Sequence, residues 1–160
     1  MVVWLYTIMP FQSKPESDQT DQPNMLSIKQ FFSTHDLFAR HNNIELIEVK
    51  PGYSKTRMRI LPHHFNAAKT VHGGAIFTLA DFAFAVASNS YGTLAMGINT
   101  SVSFVKIATG GTLYAEAMEL SRNHKLATYK VSITDDEGDL VATFQGMVYR
   151  KKEIITNLSE

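Results

Sequence analysis

No cysteine occurs in the 160 residues. Disulfide scaffolds, thiolate metal sites and thiol nucleophiles are therefore excluded. Neither charge is in surplus: Lys+Arg and Asp+Glu are each 15, for a formal net charge of zero. Such a chain has no general electrostatic pull toward nucleic acid or an anionic membrane, and neither is expected as a partner. Residues 2–9 (VVWLYTIM) are apolar, but the run is short, nothing basic precedes it, and Pro10 closes it. A secretory signal is not expected there. No arginine precedes Arg40, which argues against an Arg-rich transit peptide. No Gly-rich loop follows a strand-like stretch, so a nucleotide hydrolase is rejected. Ser88, Ser90 and Ser101 lack a nucleophile-elbow context. A cytoplasmic protein is the expectation.

What is present is organised around residues 71–90 (VHGGAIFTLADFAFAVASNS). A His-Gly-Gly turn opens an apolar run interrupted by one ionisable residue, Asp81. A run without a polar face predicts a helix buried on all sides. It is too short for a membrane span of about 20 apolar residues, and it carries a carboxylate at its centre.

The rest of the chain supplies a sheet. Residues 1–24 read as an extension outside the core, because residues 12–24 (QSKPESDQTDQPN) are polar and turn-rich. Residues 25–150 read as one domain, and residues 151–160 as a frayed tail. Apolar spacing over residues 25–41 predicts a short amphipathic helix broken near Ser33-Thr34. Strands are predicted at 44–49 and 53–61, the second with Lys55, Arg57 and Arg59 outward and Thr56, Met58 and Ile60 inward. After the helix come strands at 95–106, 112–120, 126–134 and 140–149. They are separated by turns at Gly110-Gly111, residues 122–125 and Asp136-Glu137-Gly138. In the first of these, Ile98, Thr100, Val102 and Phe104 share a face, and in the last Leu140, Ala142, Phe144, Gly146 and Val148 do. This is an α+β pattern: a curved antiparallel sheet wrapped around one long central helix. One sheet covers only part of a helix, so a homo-oligomer is expected to complete the burial.

Several side chains are candidates for chemistry. Asp81 loses hydration on an apolar helix and reads either as a structural carboxylate or as a base or nucleophile. Gly73 and Gly74 open the helix, where unpaired N–H groups and a partial positive charge can meet a carbonyl oxygen. His72 and Asp81 are nine positions apart, roughly 13 Å along the axis and on opposite sides, so one chain cannot make them a dyad. Two copies could bring Asp81 of one to the helix start of the other. Asn66 precedes the helix and reads as a turn residue or an orienting group. His63, His64 and His72 match no metal-ligand spacing, and no metal is expected. Phe77, Phe82 and Phe84 read as core or as pocket lining. Lys106, Arg122 and Lys125 lie at strand ends and turns, where phosphates could be met.

The run Asn66-x5-His72-Gly73-Gly74-x2-Phe77-x-Leu79-Ala80-Asp81, with residues 85–91 (AVASNSY), resembles the hotdog-fold acyl-CoA thioesterases over roughly residues 40–150. It is most similar to their PaaI-like branch, linked to phenylacetate degradation, since Asp rather than Glu stands at position 81. The resemblance implies that Asp81 is the nucleophile or general base and that the Gly73 amide polarises the thioester carbonyl. His72 and Asn66 would orient the reacting groups. Gly74, Phe77 and Phe82 would face the substrate, and Lys106, Arg122 and Lys125 the coenzyme A phosphates. It implies a homodimer assembling the site and a homotetramer of such dimers. Coenzyme A would enter as part of the substrate, with no cofactor. Gly110-Gly111, Ile107 and Gly97 depart from the family's pattern. A non-catalytic acyl-CoA or lipid-binding hotdog protein is the alternative; a hotdog hydratase would need an Asp and a His a few residues apart on one segment.

Overall fold

The computed structural model describes residues 24–155. The chain begins with α1 (Met25–His35) and α2 (Leu37–His41), followed by β1 (Ile44–Lys50) and β2 (Tyr53–Arg59). A short 3-10 turn (Pro62–His64) leads toward α3 (Gly73–Asn89). Then come β3 (Thr93–Phe104), β4 (Thr112–Arg122), β5 (Leu126–Thr134) and β6 (Leu140–Ile154). Residues 1–23, which hold most of the expected N-terminal extension, and residues 156–160 lie outside the described residues. Among the described residues no helix is long and apolar enough to cross a membrane.

The six strands form one antiparallel sheet in the order β1-β2-β4-β5-β6-β3. Period-two patterning sets which face turns inward. Ala127, Tyr129, Val131 and Ile133 of β5 are buried, as are Leu113, Ala115 and Ala117 of β4. On β2, Ser54, Thr56 and Met58 face in while Arg57 and Arg59 stay in water. A helix that touches all six strands requires a sheet bent around it, and α3 does touch all six. The bend needs close approach at Gly146: a Cβ there would lie 2.7 Å from the Phe84 ring.

Four expectations are corrected. The first helix breaks at Asp36, not at Ser33-Thr34, because the Asp36 carboxylate accepts the Ala39 N–H at 2.9 Å and caps a new helix. Asn24, placed outside the core by composition, is the N-cap of α1 through a 3.0 Å bond from the Leu26 N–H. The tail expected to fray from Lys151 instead continues β6 to Ile154, paired with Thr93 of β3. Ile155 then packs inward, 2% exposed, and donates its N–H to the Gly92 carbonyl at 3.0 Å. Finally, β3 does not turn a buried face to the core over its whole length. Ile98 is 55% and Phe104 52% exposed on this edge strand, which is hydrogen-bonded to β6 alone.

Candidate active site

The start of α3 is held from two sides. The Val71 N–H donates to the Ala108 carbonyl at 2.9 Å, and the His72 N–H donates to the His64 carbonyl at 2.7 Å. His72 is the N-cap, with extended backbone (φ −63°, ψ 133°). Its Nδ1 accepts the Gly74 N–H at 2.8 Å, and its carbonyl accepts the Ala75 N–H at 2.9 Å. No acceptor takes the Gly73 N–H among the described residues. That amide points out of the positive end of a helix, the arrangement that stabilises a developing oxyanion. The expected substrate role of Gly74 is not available to its amide, which His72 already holds.

Beside Gly73 lies a pocket of about 200 Å³ lined by Thr70, Val71, Ile76, Phe104, Lys106, Ile107 and Ala108. A Cβ at position 73 would sit 3.0 Å from the Phe104 ring, so a side chain there would push the ring by a few tenths of an ångström, and glycine lets it stand close.

Asn66 stabilises the loop that delivers this helix start. Its Oδ1 accepts the N–H groups of Ala68 and Thr70 at 2.9 and 3.2 Å, and its Nδ2 donates to Thr70 Oγ1 at 2.8 Å. The turn reading of Asn66 is the one realised within the chain. His64 is buried, with Nδ1 accepting the Leu61 N–H at 3.1 Å and Nε2 lacking a partner among the described residues. Burial, and secondarily His63, lower its pKa. Among the described residues no group of three or more His, Cys, Asp or Glu is placed to hold a metal ion.

Asp81 is exposed in the single chain, which corrects the expectation of a helix buried all round. Gly74, Thr78, Asp81 and Ala85 follow an i, i+4, i+7, i+11 spacing and form a stripe that the sheet does not cover fully. One side of the carboxyl meets solvent, yet the surrounding protein strips enough hydration to raise its pKa, and the negative charge of Asp36 raises it further. Gly73 and Asp81 of one chain are eight residues apart, roughly 12 Å along the axis.

Of the aromatic candidates, Phe82 is core: it is buried and meets Phe32 edge-on at 6.1 Å. Phe84 packs against Tyr129 and Phe144. Phe77 is half-buried beside the uncovered stripe and meets Phe144 at 5.6 Å.

The cationic candidates separate sharply. Lys106 is already paired with carboxylates: its Nζ donates to Asp135 Oδ2 at 2.6 Å and to Asp139 Oδ2 at 2.7 Å. These carboxylates raise the ammonium pKa well above its ordinary value, the Asp135 hydrogen bond most of all. Arg122 lies 3.8 Å over the Tyr91 ring and pairs with Glu119 at 3.4 Å. Lys125 lines a pocket of about 530 Å³ with His124, Tyr149, Arg150, Lys151, Lys152 and Glu153. Lys125, Arg150, Lys151 and Lys152 have no carboxylate partner among the described residues. Arg150, Lys151 and Lys152 were missed in the sequence because the hydrophobic alternation of β6 ends before them. The pocket is at the β3 start, where Ala95 pairs with Arg150. Gly73 is at the other end, against Phe104, nine strand residues or roughly 30 Å away.

Comparison with known proteins adds to this geometry. A family profile described as thioesterase superfamily matches residues 68–142. An Archaeoglobus fulgidus protein, provisionally named an esterase, is 40% identical over 79% of this chain and 82% of its own length. The acyl-coenzyme A thioesterase PaaI of Escherichia coli is 30% identical over 76% of this chain and 88% of its own. The solved structure of the E. coli PaaI protein, from the phenylacetic acid degradation operon, superposes with a TM-score of 0.80 at 26% identity. It covers 84% of this chain and 99% of that one.

Proposed function

Because the chain belongs to the thioesterase superfamily and has its hotdog fold, we propose that it hydrolyses an aryl- or medium-chain acyl-CoA thioester to free acid and coenzyme A. The observation that carries this reading is the Gly73 N–H, open at the positive end of α3 beside an apolar pocket. The thioester carbonyl oxygen would accept that N–H, and its developing negative charge would be stabilised there. Asp81 would attack the carbonyl carbon or take a proton from the attacking water. The C–S bond then breaks, and the thiolate leaves as coenzyme A once protonated. The water supplies the oxygen of the acid.

The two groups are too far apart within one chain, so the reading requires a second copy. Two features support one: the exposed stripe carrying Asp81, and the hydrogen-bonding edge of β3 beyond its pairing with β6. Antiparallel pairing of two β3 edges would set the start of one strand against the end of the other. The basic pocket of one copy would then lie toward Gly73 of its partner. A coenzyme A molecule could place its phosphates against Lys125, Arg150, Lys151 and Lys152 and its thioester at the partner's Gly73 amide. This replaces Lys106 with a pocket of the right sign. The likeness to a PaaI protein from a phenylacetic acid degradation operon supports keeping aryl acyl groups among the candidates.

Thiol release from phenylacetyl-CoA, hydroxybenzoyl-CoA and medium-chain acyl-CoAs tests the proposal. Turnover of at least one is expected, falling by about 10³-fold or more in Asp81→Asn with binding retained. Equal turnover in both proteins would remove Asp81 from the mechanism. Tight binding without thiol release from either would identify a non-catalytic acyl-CoA binder.

A further inference from the structure

Resting on the thioesterase reading, we propose that Lys106 is a positioning residue whose paired ammonium clamps the wall of the Gly73 pocket in place. The wall is the connection between β3 and β4, residues 105–111. It supplies Lys106, Ile107 and Ala108 to the pocket, following Phe104, whose ring stands against Gly73. Its Ala108 carbonyl also accepts the Val71 N–H, one residue before the N-cap of α3. A shift of this connection would therefore move the pocket and the helix start together.

The connection is tied to the β5–β6 hairpin by side chains at two points. Lys106 reaches across to Asp135 and Asp139, the residues that begin and end that turn. The turn is itself locked: the Asp139 N–H donates to Asp135 Oδ1 at 2.9 Å, and the Gly138 N–H donates to the Asp135 carbonyl at 3.0 Å. Asp136 Oδ2 accepts the Thr112 N–H at 2.8 Å and secures the far end of the connection. At the near end of the connection, Val105 and Lys106 also donate their N–H groups to the Val141 carbonyl. The hairpin thus works as a fixed post, and Lys106 joins the wall to it.

The charge around Lys106 opposes the phosphate role. Asp135, Asp136, Glu137 and Asp139 set four carboxylates against one ammonium on this side of the wall. A phosphate brought to Lys106 would be repelled by the surplus and would have to displace two short hydrogen bonds. The side chain of Lys106 is 42% exposed, so the pairs contribute little to global stability. Their consequence is local geometry, and a pocket misplaced by about 1 Å can cost about 100-fold in rate.

The test compares Lys106→Met, Lys106→Arg and the Asp135→Asn/Asp139→Asn double variant with the intact chain. Each is assayed with an acyl-CoA that the intact chain turns over, alongside amide hydrogen exchange. Lys106→Met and the double variant should both lower kcat by ~10-fold to ~100-fold, with KM within about twofold. Lys106→Arg should recover most of the loss. Exchange at Val71 and across residues 105–111 should quicken in Lys106→Met and in the double variant, and not in Lys106→Arg. A raised KM with kcat unchanged in Lys106→Met, or tighter substrate binding in the double variant with kcat unchanged, would overturn the proposal in favour of a phosphate contact. Exchange at Val71 unaltered by Lys106→Met would overturn it as well. Should the intact chain release no thiol at all, the thioesterase reading fails, while the exchange measurement still decides the clamp.

Discussion

The imidazole of His72 accepts the Gly74 N–H at 2.8 Å, which leaves Gly73 as the amide without an acceptor at the start of α3 among the described residues. One side chain thus both caps the helix and selects which backbone donor faces outward. His72→Ala should cost about 1 kcal/mol of stability in urea unfolding, the ordinary loss of an N-cap. It should also lower kcat, because the Gly74 N–H would then compete for the substrate oxygen. His72→Asn, which can still cap, should restore the stability and most of the turnover. Failure of His72→Asn to recover stability would show that the cap is not what His72 contributes.

In the proposed mechanism Asp81 is the base, and its raised pKa would set the pH at which it becomes available. Turnover should rise along an acid limb displaced upward from the ordinary carboxylate range, since only the ionised form acts. Asp36→Asn removes the second cause of the shift while keeping an N-cap on α2. The limb should move to lower pH but stop short of the ordinary value, because the larger cause, burial, remains. Profiles of kcat/KM against pH for the two proteins check this; coincident limbs would refute it.

The same shift has a stability sign. A carboxyl whose folded pKa lies above its unfolded value binds its proton more tightly when folded. The ionised group then disfavours the fold, beginning as pH rises through the unfolded value and fully above the folded one. Asp81→Asn should therefore melt higher than the intact chain at pH 7. The two should converge near about pH 3, where the aspartate is protonated in either state. Thermal melts at the two pH values decide it, and a lower melting temperature for Asp81→Asn at pH 7 would contradict it.

For the basic pocket, Lys125→Ala combined with Lys152→Ala should raise KM for a coenzyme A thioester by about tenfold, with kcat little changed. A thioester of pantetheine, which lacks the nucleotide phosphates, should show no such rise. The dependence of KM on salt should flatten in the double variant. Equal KM changes for the two substrates would place the phosphates elsewhere.

At Gly146 the new methyl of an alanine would lie 2.7 and 2.8 Å from Phe84 ring carbons and 3.0 Å from Phe144. Both rings are buried, so Gly146→Ala should destabilise by about 1–3 kcal/mol in urea unfolding. Gly97→Ala meets only Phe84, at 3.3 Å, and should cost less.

Strand and helix positions were legible because burial imposes a period on the chain. Alternation marked β2 through its outward Arg57 and Arg59, and an apolar run marked α3. The same signal failed where burial is partial or the sequence is polar. Residues 150–154 are a strand because β3 is long enough to pair with them, and RKKEI carries too little apolar pattern to say so. Asp81 was placed in a sealed helix because the run of apolar neighbours records burial on most of the helix circumference. It does not record the stripe that the sheet leaves open. Lys106 was assigned to a phosphate since its partners are 29 and 33 positions away and invisible to local spacing.

By itself the sequence determined a helix opened by His-Gly-Gly, the strands able to enclose it, and the carboxylate nine residues beyond His72. These follow from periodicity and backbone chemistry, which act over a few residues. Tertiary structure decided that, among the described residues, the Gly73 amide stays open, Asp81 reaches the surface, and one lysine is paired with carboxylates while a cluster on β6 is not. Those outcomes depend on which strand lies at the sheet edge and which loops meet across it. Contacts of that kind join residues tens of positions apart, and no local pattern encodes them.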